Sequence, residues 1–291
     1  MSKQTKNLIL IASFAAFFIF GAFLVSYAQG YKFDFEELTW VKTGGLAVKA
    51  NTDGADIMID GKAVGNIPFF TNTFTKKNIL PGEYSLRVEK DGFPSISKNI
   101  QIISGQVVQL IHIHLPQKEE IDDFIASRPK EESIPYFISN LDGLLYEKTN
   151  SETNKKLSSE PIYIKDFLLK FFNDNFYLVS RDVEAIGLFL LNSEGRWNQI
   201  YTRLLNDAIL SPDGKKLALI GENEINVLWL KDESEAPYFR QGYNELILQT
   251  GQKIEKVFWF KTDWPLICFT ANGETRFIEL DPTGGRNDLV I

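Results

Sequence analysis

The hydrophobic pattern changes character once, near residue 29. Before that point residues 8–28 form an uninterrupted apolar stretch behind Lys3 and Lys6, and beyond it apolar and polar positions alternate with period two through most of the chain. Twelve positions of the stretch are Leu, Ile, Phe or Val and none is charged. As a helix it would be about 31 Å long at 1.5 Å per residue, the thickness of a bilayer's hydrocarbon core. The expectation is a membrane-spanning helix over 8–28 with a short tail, 1–7, on the cytoplasmic side, because Lys3 and Lys6 precede it while Asp34, Glu36 and Glu37 follow it. A cleaved signal peptide is the alternative, since Ser26-Tyr27-Ala28 places small residues where a signal peptidase reads them, near Ala28. Both readings export the rest of the chain, so the body is expected to be extracytoplasmic.

Residues 29–43 read as a juxtamembrane segment. Tyr27, Tyr31, Phe33 and Phe35 suit an interfacial aromatic belt, and the last three also alternate as one face of a strand does. The sequence leaves both uses open. From Gly44 the short runs "GGLAVKA", "ADIMIDG", "YSLRVEKDGF", "SKNIQII" and "QVVQLIHIHL" predict strands. Turns are signalled by Asp60-Gly61, Pro81-Gly82 and Asp91-Gly92. In the third run Tyr84, Leu86 and Val88 point one way and Ser85, Arg87 and Glu89 the other, which predicts one buried and one wet face.

Asp53-Gly54-Ala55, "IMIDGKAVG", Pro68, "LPGEYSLRVEKDGF" and "ISGQVVQLIHIHL" occur in the order found in the PEGA domain of bacterial envelope proteins, which residues 45–115 resemble. The sequence departs at the naming motif, where Asn51-Thr52-Asp53-Gly54-Ala55 stands in its place. The resemblance implies a small β-sandwich over 44–115 with a surface or scaffold role, and it carries no ligand residues to transfer. Residues 116–133 are charged and bounded by prolines, and read as a linker with a helical turn or two around Ile121, Phe124 and Ile125. Over 134–291 strand signals return in "PYFISN", "LLYEKT", "NFYLVS", "IGLFLLN", "KLALIG", "INVLWLK", "KVFWF", "PLICFTA" and "TRFIEL". Ser211-Pro212-Asp213-Gly214 with its following apolar strand resembles a blade of a TolB-like propeller, and Lys261-Thr262-Asp263 stands at the corresponding turn of a second. At roughly 40 to 45 residues per blade, this region holds about three or four. The fold class expected is therefore mainly β: a transmembrane helix, a PEGA-like sandwich, and a partial or small propeller-like domain.

The net charge of −7 and the lack of a long basic run argue against a nucleic-acid partner. Cys268, the one cysteine, cannot close an intrachain disulfide and reads as a small core residue. Asp56 and Asp60 flank a hairpin turn and read as solvent-facing carboxylates. His112 and His114, the only histidines, share a strand face at a spacing that suits a metal, yet no further ligands stand near them in sequence, so exposed strand histidines are expected. Trp197 and Trp264 are candidates to stack on sugars or to plug a core. With no G-x-S-x-G, P-loop, Rossmann or H-E-x-x-H pattern, no catalytic, cofactor-binding or metal residue is assigned. The function expected is a non-catalytic, membrane-anchored envelope protein whose partners are the bilayer, through residues 8–28, and a cell-envelope polysaccharide or protein. Its alternatives are a partner-dependent sensor or assembly factor, packing through Ala15, Ala16, Gly21 and Ala22, and a secreted glycan-acting hydrolase.

Overall fold

The computed structural model describes residues 3–35, 37–128, 134–149 and 153–291. Met1, Ser2, Glu36 and the end of the expected linker, 129–133, lie outside the described residues. The chain divides into two compact units, one comprising the residues up to Leu115 together with Asp281–Arg286, the other Pro116–Leu280 and Asn287–Ile291.

The first unit opens with α1 (Lys3–Ala28), whose apolar side chains are exposed and which is long and apolar enough to cross a membrane; a signal sequence meets the same description. Gly30, at φ +84°, turns the chain out of the helix into a hairpin, β1 (Tyr31–Asp34) and β2 (Thr39–Lys42). There follow β3 (Gly44–Ala50), β4 (Asp56–Ile59), β5 (Lys62–Asn66), β6 (Thr73–Ile79), β7 (Gly82–Glu89), β8 (Ile96–Ile102) and β9 (Val107–Ile113). They make a sheet ordered β6-β3-β9, with β3 and β9 parallel, and an antiparallel sheet ordered β5-β4-β7-β8. Alternation does what the sequence predicts: Leu86 and Val88 face inward while Ser85 and Arg87 face water, and β8 buries Ile96, Ile100 and Ile102. These side chains meet Leu46, Val48, Ile57, Leu110 and Ile113 in one core. Asp60, at φ 49°, and Gly61, at φ 73°, form the hairpin turn expected between β4 and β5. The strands β5 and β6 are edge strands whose side chains are mostly exposed or half-buried, so their sequences lack the alternation that betrays the others.

The second unit begins with α2 (Lys118–Ala126). It continues through β10 (Tyr136–Ile138), β11 (Leu145–Glu147), β12 (Lys155–Lys156), β13 (Phe167–Phe172), β14 (Asn175–Ser180), β15 (Gly187–Leu191) and β16 (Trp197–Tyr201). It ends with β17 (Asp207–Leu210), β18 (Lys216–Ile220), β19 (Glu224–Trp229), β20 (Asn244–Gln249), β21 (Ile254–Trp259), β22 (Pro265–Thr270), β23 (Thr275–Glu279) and β24 (Asp288–Val290). Four antiparallel meanders result, β10–β12, β13–β16, β17–β20 and β21–β24, each with its strands side by side in chain order. Successive sheets stack face to face. In β18 all five residues are buried: Leu217 and Leu219 pack on Tyr177, Val179 and Leu188 of the sheet before, and Ala218 and Ile220 pack with Leu266 and Cys268 of the sheet after. Tyr136 joins the first meander to the second through the rings of Phe171 and Phe176, at 5.1 and 4.7 Å.

Among the described residues the sheets do not close into a ring. Residues 118–126 form α2, the turn or two of helix expected around Ile121, Phe124 and Ile125, but the segment is docked rather than solvated. Its Ile121, Phe124 and Ile125 pack against Phe260, Ile267 and Phe277. In β22 and β23, Ile267 and Phe277 alternate with Leu266, Cys268 and Ile278, so α2 covers the face of the last sheet that turns away from β17–β20.

Candidate functional site

In the second unit, the turn from β17 to β18 fixes a carboxylate at one end of the stack. Ser211 donates its hydroxyl to Asp213 Oδ1 at 2.5 Å, the Lys215 amide donates to the same oxygen at 3.1 Å, and the Lys216 amide donates to Ser211 Oγ at 2.9 Å. Gly214 has φ +68°, a conformation that favours glycine, and a Cβ there would also push aside the Asn173 amide, 2.3 Å away, which donates to the Gly214 carbonyl. The next sheet repeats the turn between β21 and β22, where Lys261 at φ 56° leads into Asp263. Glu233, on the connection from β19 to β20, supplies a third carboxylate and is 8% exposed.

Lys216 stands among all three. Fully buried, its Nζ lies 2.8 Å from Asp263 Oδ2, 3.0 Å from Glu233 Oε2 and 3.3 Å from Asp213 Oδ2. The ammonium also sits 5.0 Å from the centre of the Trp264 ring, and Lys215 pairs with the other Glu233 oxygen at 2.9 Å. Burial pushes the Asp213 carboxyl up, but hydrogen bonds with Asp263, Ser211 and the Lys215 amide, together with the Lys216 charge, overcome it and hold the group at about 2. Glu233 is likewise lowered: burial acts upward, and hydrogen bonds from Lys215 and Lys216 outweigh it. Asp263 goes the other way, raised first by burial and then by its hydrogen bond to Asp213, so it holds a proton more readily and eases the excess of three carboxylates over two ammonium groups. Carboxylate oxygens this close can hold a metal ion, but the Lys216 ammonium fills the centre, and the arrangement acts as a clamp between adjacent sheets.

Asp213 and Asp263 are the two aspartates that the turn pattern places at corresponding positions; Glu233 and Lys216 escape sequence reasoning. The one signal for Lys216 is a lysine opening an otherwise wholly apolar strand, "KLALI". Trp264 is 4% exposed and touches Phe239, so it is a core ring and is not available to a sugar; Trp197 is half-buried. Cys268 is fully buried, and burial pushes its thiol up to about 11, as suits an inert core residue. Asp56 and Asp60 are exposed, with Asp60 Oδ1 accepting from the Ser85 amide at 2.9 Å. The expectation of two exposed histidines fails. His114 is 6% exposed, and its Nε2 lies 3.2 Å from Asn51 Nδ2, while Asn51 Oδ1 accepts from the Leu115 amide at 2.9 Å; His112 is half-buried. Asn51 and His114 directly follow the paired ends of β3 and β9, which brings them together, a proximity that local sequence does not reveal.

The first unit carries two further surface features. A polar groove of about 570 Å³ is lined by Asp56, Arg87, Glu89, Lys90, Asp91 and Phe93 among others. Phe69 and Phe70, 70% and 94% exposed, stand edge to face in the loop between β5 and β6.

Residues 43–119 match the PEGA domain family, the part of the chain that forms the two-sheet core of the first unit. No curated protein matches the sequence. Among solved structures, Kluyveromyces lactis Hsv2 with a complete loop 6CD is 13% identical, with a TM-score of 0.35; the alignment covers 71% of this chain and 59% of that one, and a likeness so slight carries no argument here.

Proposed function

We propose that this chain is a non-catalytic envelope protein, held in the membrane by α1 with its N-terminus in the cytoplasm, that presents two β units outside the membrane as binding or scaffold modules for a cell-envelope polysaccharide or protein. The observation that carries the reading is the placement of a PEGA domain directly behind a helix able to cross a bilayer. The hairpin β1–β2 is all that separates the two, which keeps the module at the membrane surface. The second unit fits the same role as an open, propeller-like stack of blades, with α2 capping its last face. Its buried charge cluster is occupied by Lys216 and serves cohesion between sheets rather than turnover. The first unit's polar groove and the exposed Phe69–Phe70 pair offer hydrogen-bonding groups and a stacking surface of the kind a glycan uses.

The test is co-sedimentation of residues 29–291 with isolated envelope polysaccharide at low and moderate salt. Saturable binding that survives moderate salt and falls at least about tenfold in Phe69→Ala/Phe70→Ala, a loss of about 1.4 kcal/mol, is the expected result. No binding at either salt would remove the polysaccharide and leave a protein partner, to be sought by crosslinking in the native membrane.

A further inference from the structure

The hairpin between α1 and β3 is amphipathic across its two faces. Cross-strand partners share a face, so the pairing of Phe33 with Trp40 and of Tyr31 with Lys42 puts Tyr31, Phe33 and Trp40 together, with Lys42 at the base of that face and Lys32, Asp34, Thr39 and Val41 opposite. The aromatic face continues into α1. Trp40 lies edge-on to Phe33 at 5.6 Å and to Phe23 of the helix at 5.5 Å, and Phe33 meets Phe35 at 5.2 Å. These side chains are far from being a covered core: Phe33 is half-buried, Phe35 is 81% exposed, Trp40 43%, and Leu38, at the turn, 73%.

Phe23 precedes the end of α1 by five residues, about 7.5 Å along the helix axis at 1.5 Å per residue. Apolar faces that lie in a membrane interface sink about 5 to 10 Å into it. Trp40 therefore reaches back to the depth at which a bilayer's headgroup layer meets its acyl chains when α1 spans. The base of the hairpin is fastened as well. The Gly30 carbonyl accepts from the Thr43 amide at 2.8 Å and from the Thr43 hydroxyl at 2.7 Å, and the Thr43 carbonyl accepts from the Gly105 amide at 3.0 Å, tying the hairpin to the loop between β8 and β9.

From this geometry we propose that the aromatic face of β1–β2 is a lipid-binding surface: Phe33, Phe35, Leu38 and Trp40 insert among phospholipid headgroups and set the height of the PEGA-matching module above the bilayer. The proposal rests on α1 acting as an uncleaved anchor. Tyr and Trp favour this layer because a flat apolar ring with a polar edge suits both of its sides.

The test reconstitutes the full chain into vesicles of phosphatidylcholine and phosphatidylglycerol, with and without bromine near the headgroup end of the acyl chains. Flotation of the protein after an alkaline wash reads the anchor. The tryptophan emission of the native protein minus that of Trp40→Phe isolates Trp40, since the indoles of Trp197, Trp229, Trp259 and Trp264 cancel in the difference. Insertion predicts an emission difference that falls about twofold or more in brominated vesicles. A second variant, Leu38→Asp, changes an exposed turn residue outside the core and should reduce that quenching by at least about half. Flotation with no lipid quenching of Trp40, or quenching unchanged in Leu38→Asp, overturns the hairpin's role and leaves the anchor standing. Loss of flotation overturns both.

Discussion

Replacing Lys216 with alanine would leave Asp213, Glu233 and Asp263 grouped around an empty centre, with Lys215 the cation remaining on Glu233. Removing one partner of a buried ion pair costs about 3–5 kcal/mol, because the surviving charge keeps its desolvation penalty and loses its attraction. Urea unfolding of the variant at pH 7 should show a loss of that order, and the loss should shrink toward pH 4 as the carboxylates take up protons. In the native protein the two coupled aspartates act with opposite sign. Asp213, held at about 2 against an ordinary 3.8, contributes stability that is present above 3.8 and is lost as pH falls through about 2. Asp263 is raised, so its contribution is present below the ordinary value and is lost as pH rises through its folded one. A stability profile of Asp263→Asn that no longer declines as pH rises from the ordinary carboxylate value to the raised one of the folded protein would bear this out. At this scale the sequence identifies the turn aspartates, because turn chemistry is local; it is silent on Glu233, which reaches the cluster from a separate connection.

Among elements, α2 was legible as a short helix but not as a docked one. Its acidic residues and flanking prolines suit a solvated segment, and Glu119 and Glu120 in the first turn favour a helix start. That the helix docks depends on Ile121 meeting Phe260, Ile267 and Phe277, which lie far along the chain. Ile121→Ala should cost about 2–5 kcal/mol as a buried truncation, read by thermal unfolding of the second unit. Breaking the exposed Glu120–Lys261 pair, at 2.5 Å, should cost under about 1 kcal/mol. Strands follow the same logic. Those in the middle of a meander, such as β14, β18 and β22, are buried on both faces and read clearly as apolar runs. The edge strands β16 and β20 mix polar with apolar residues and escaped sequence detection.

At the scale of the whole molecule, each unit has its own core, which predicts two unfolding transitions for the full chain in detergent. Lys216→Ala should lower one of them. Gly44→Ala should lower the other, since a Cβ at Gly44 would come 2.5 Å from the Ile103 carbonyl oxygen. A single transition shifted equally by both variants would show that the units unfold together. The sequence by itself determined the apolar helix, the inward and outward parity of the central strands, the turns at Asp60-Gly61 and Ser211-Pro212-Asp213-Gly214, and the PEGA-like order of the first module. All of these arise from neighbours a few residues apart, through side-chain period and backbone preference. Only the tertiary structure decided that α2 caps the last sheet, that His114 is enclosed, that Trp264 is a core ring beneath an ammonium, and that Lys216 unites carboxylates from three separate segments. Those features depend on contacts between residues distant in the chain, whose energies act only after the sheets have stacked.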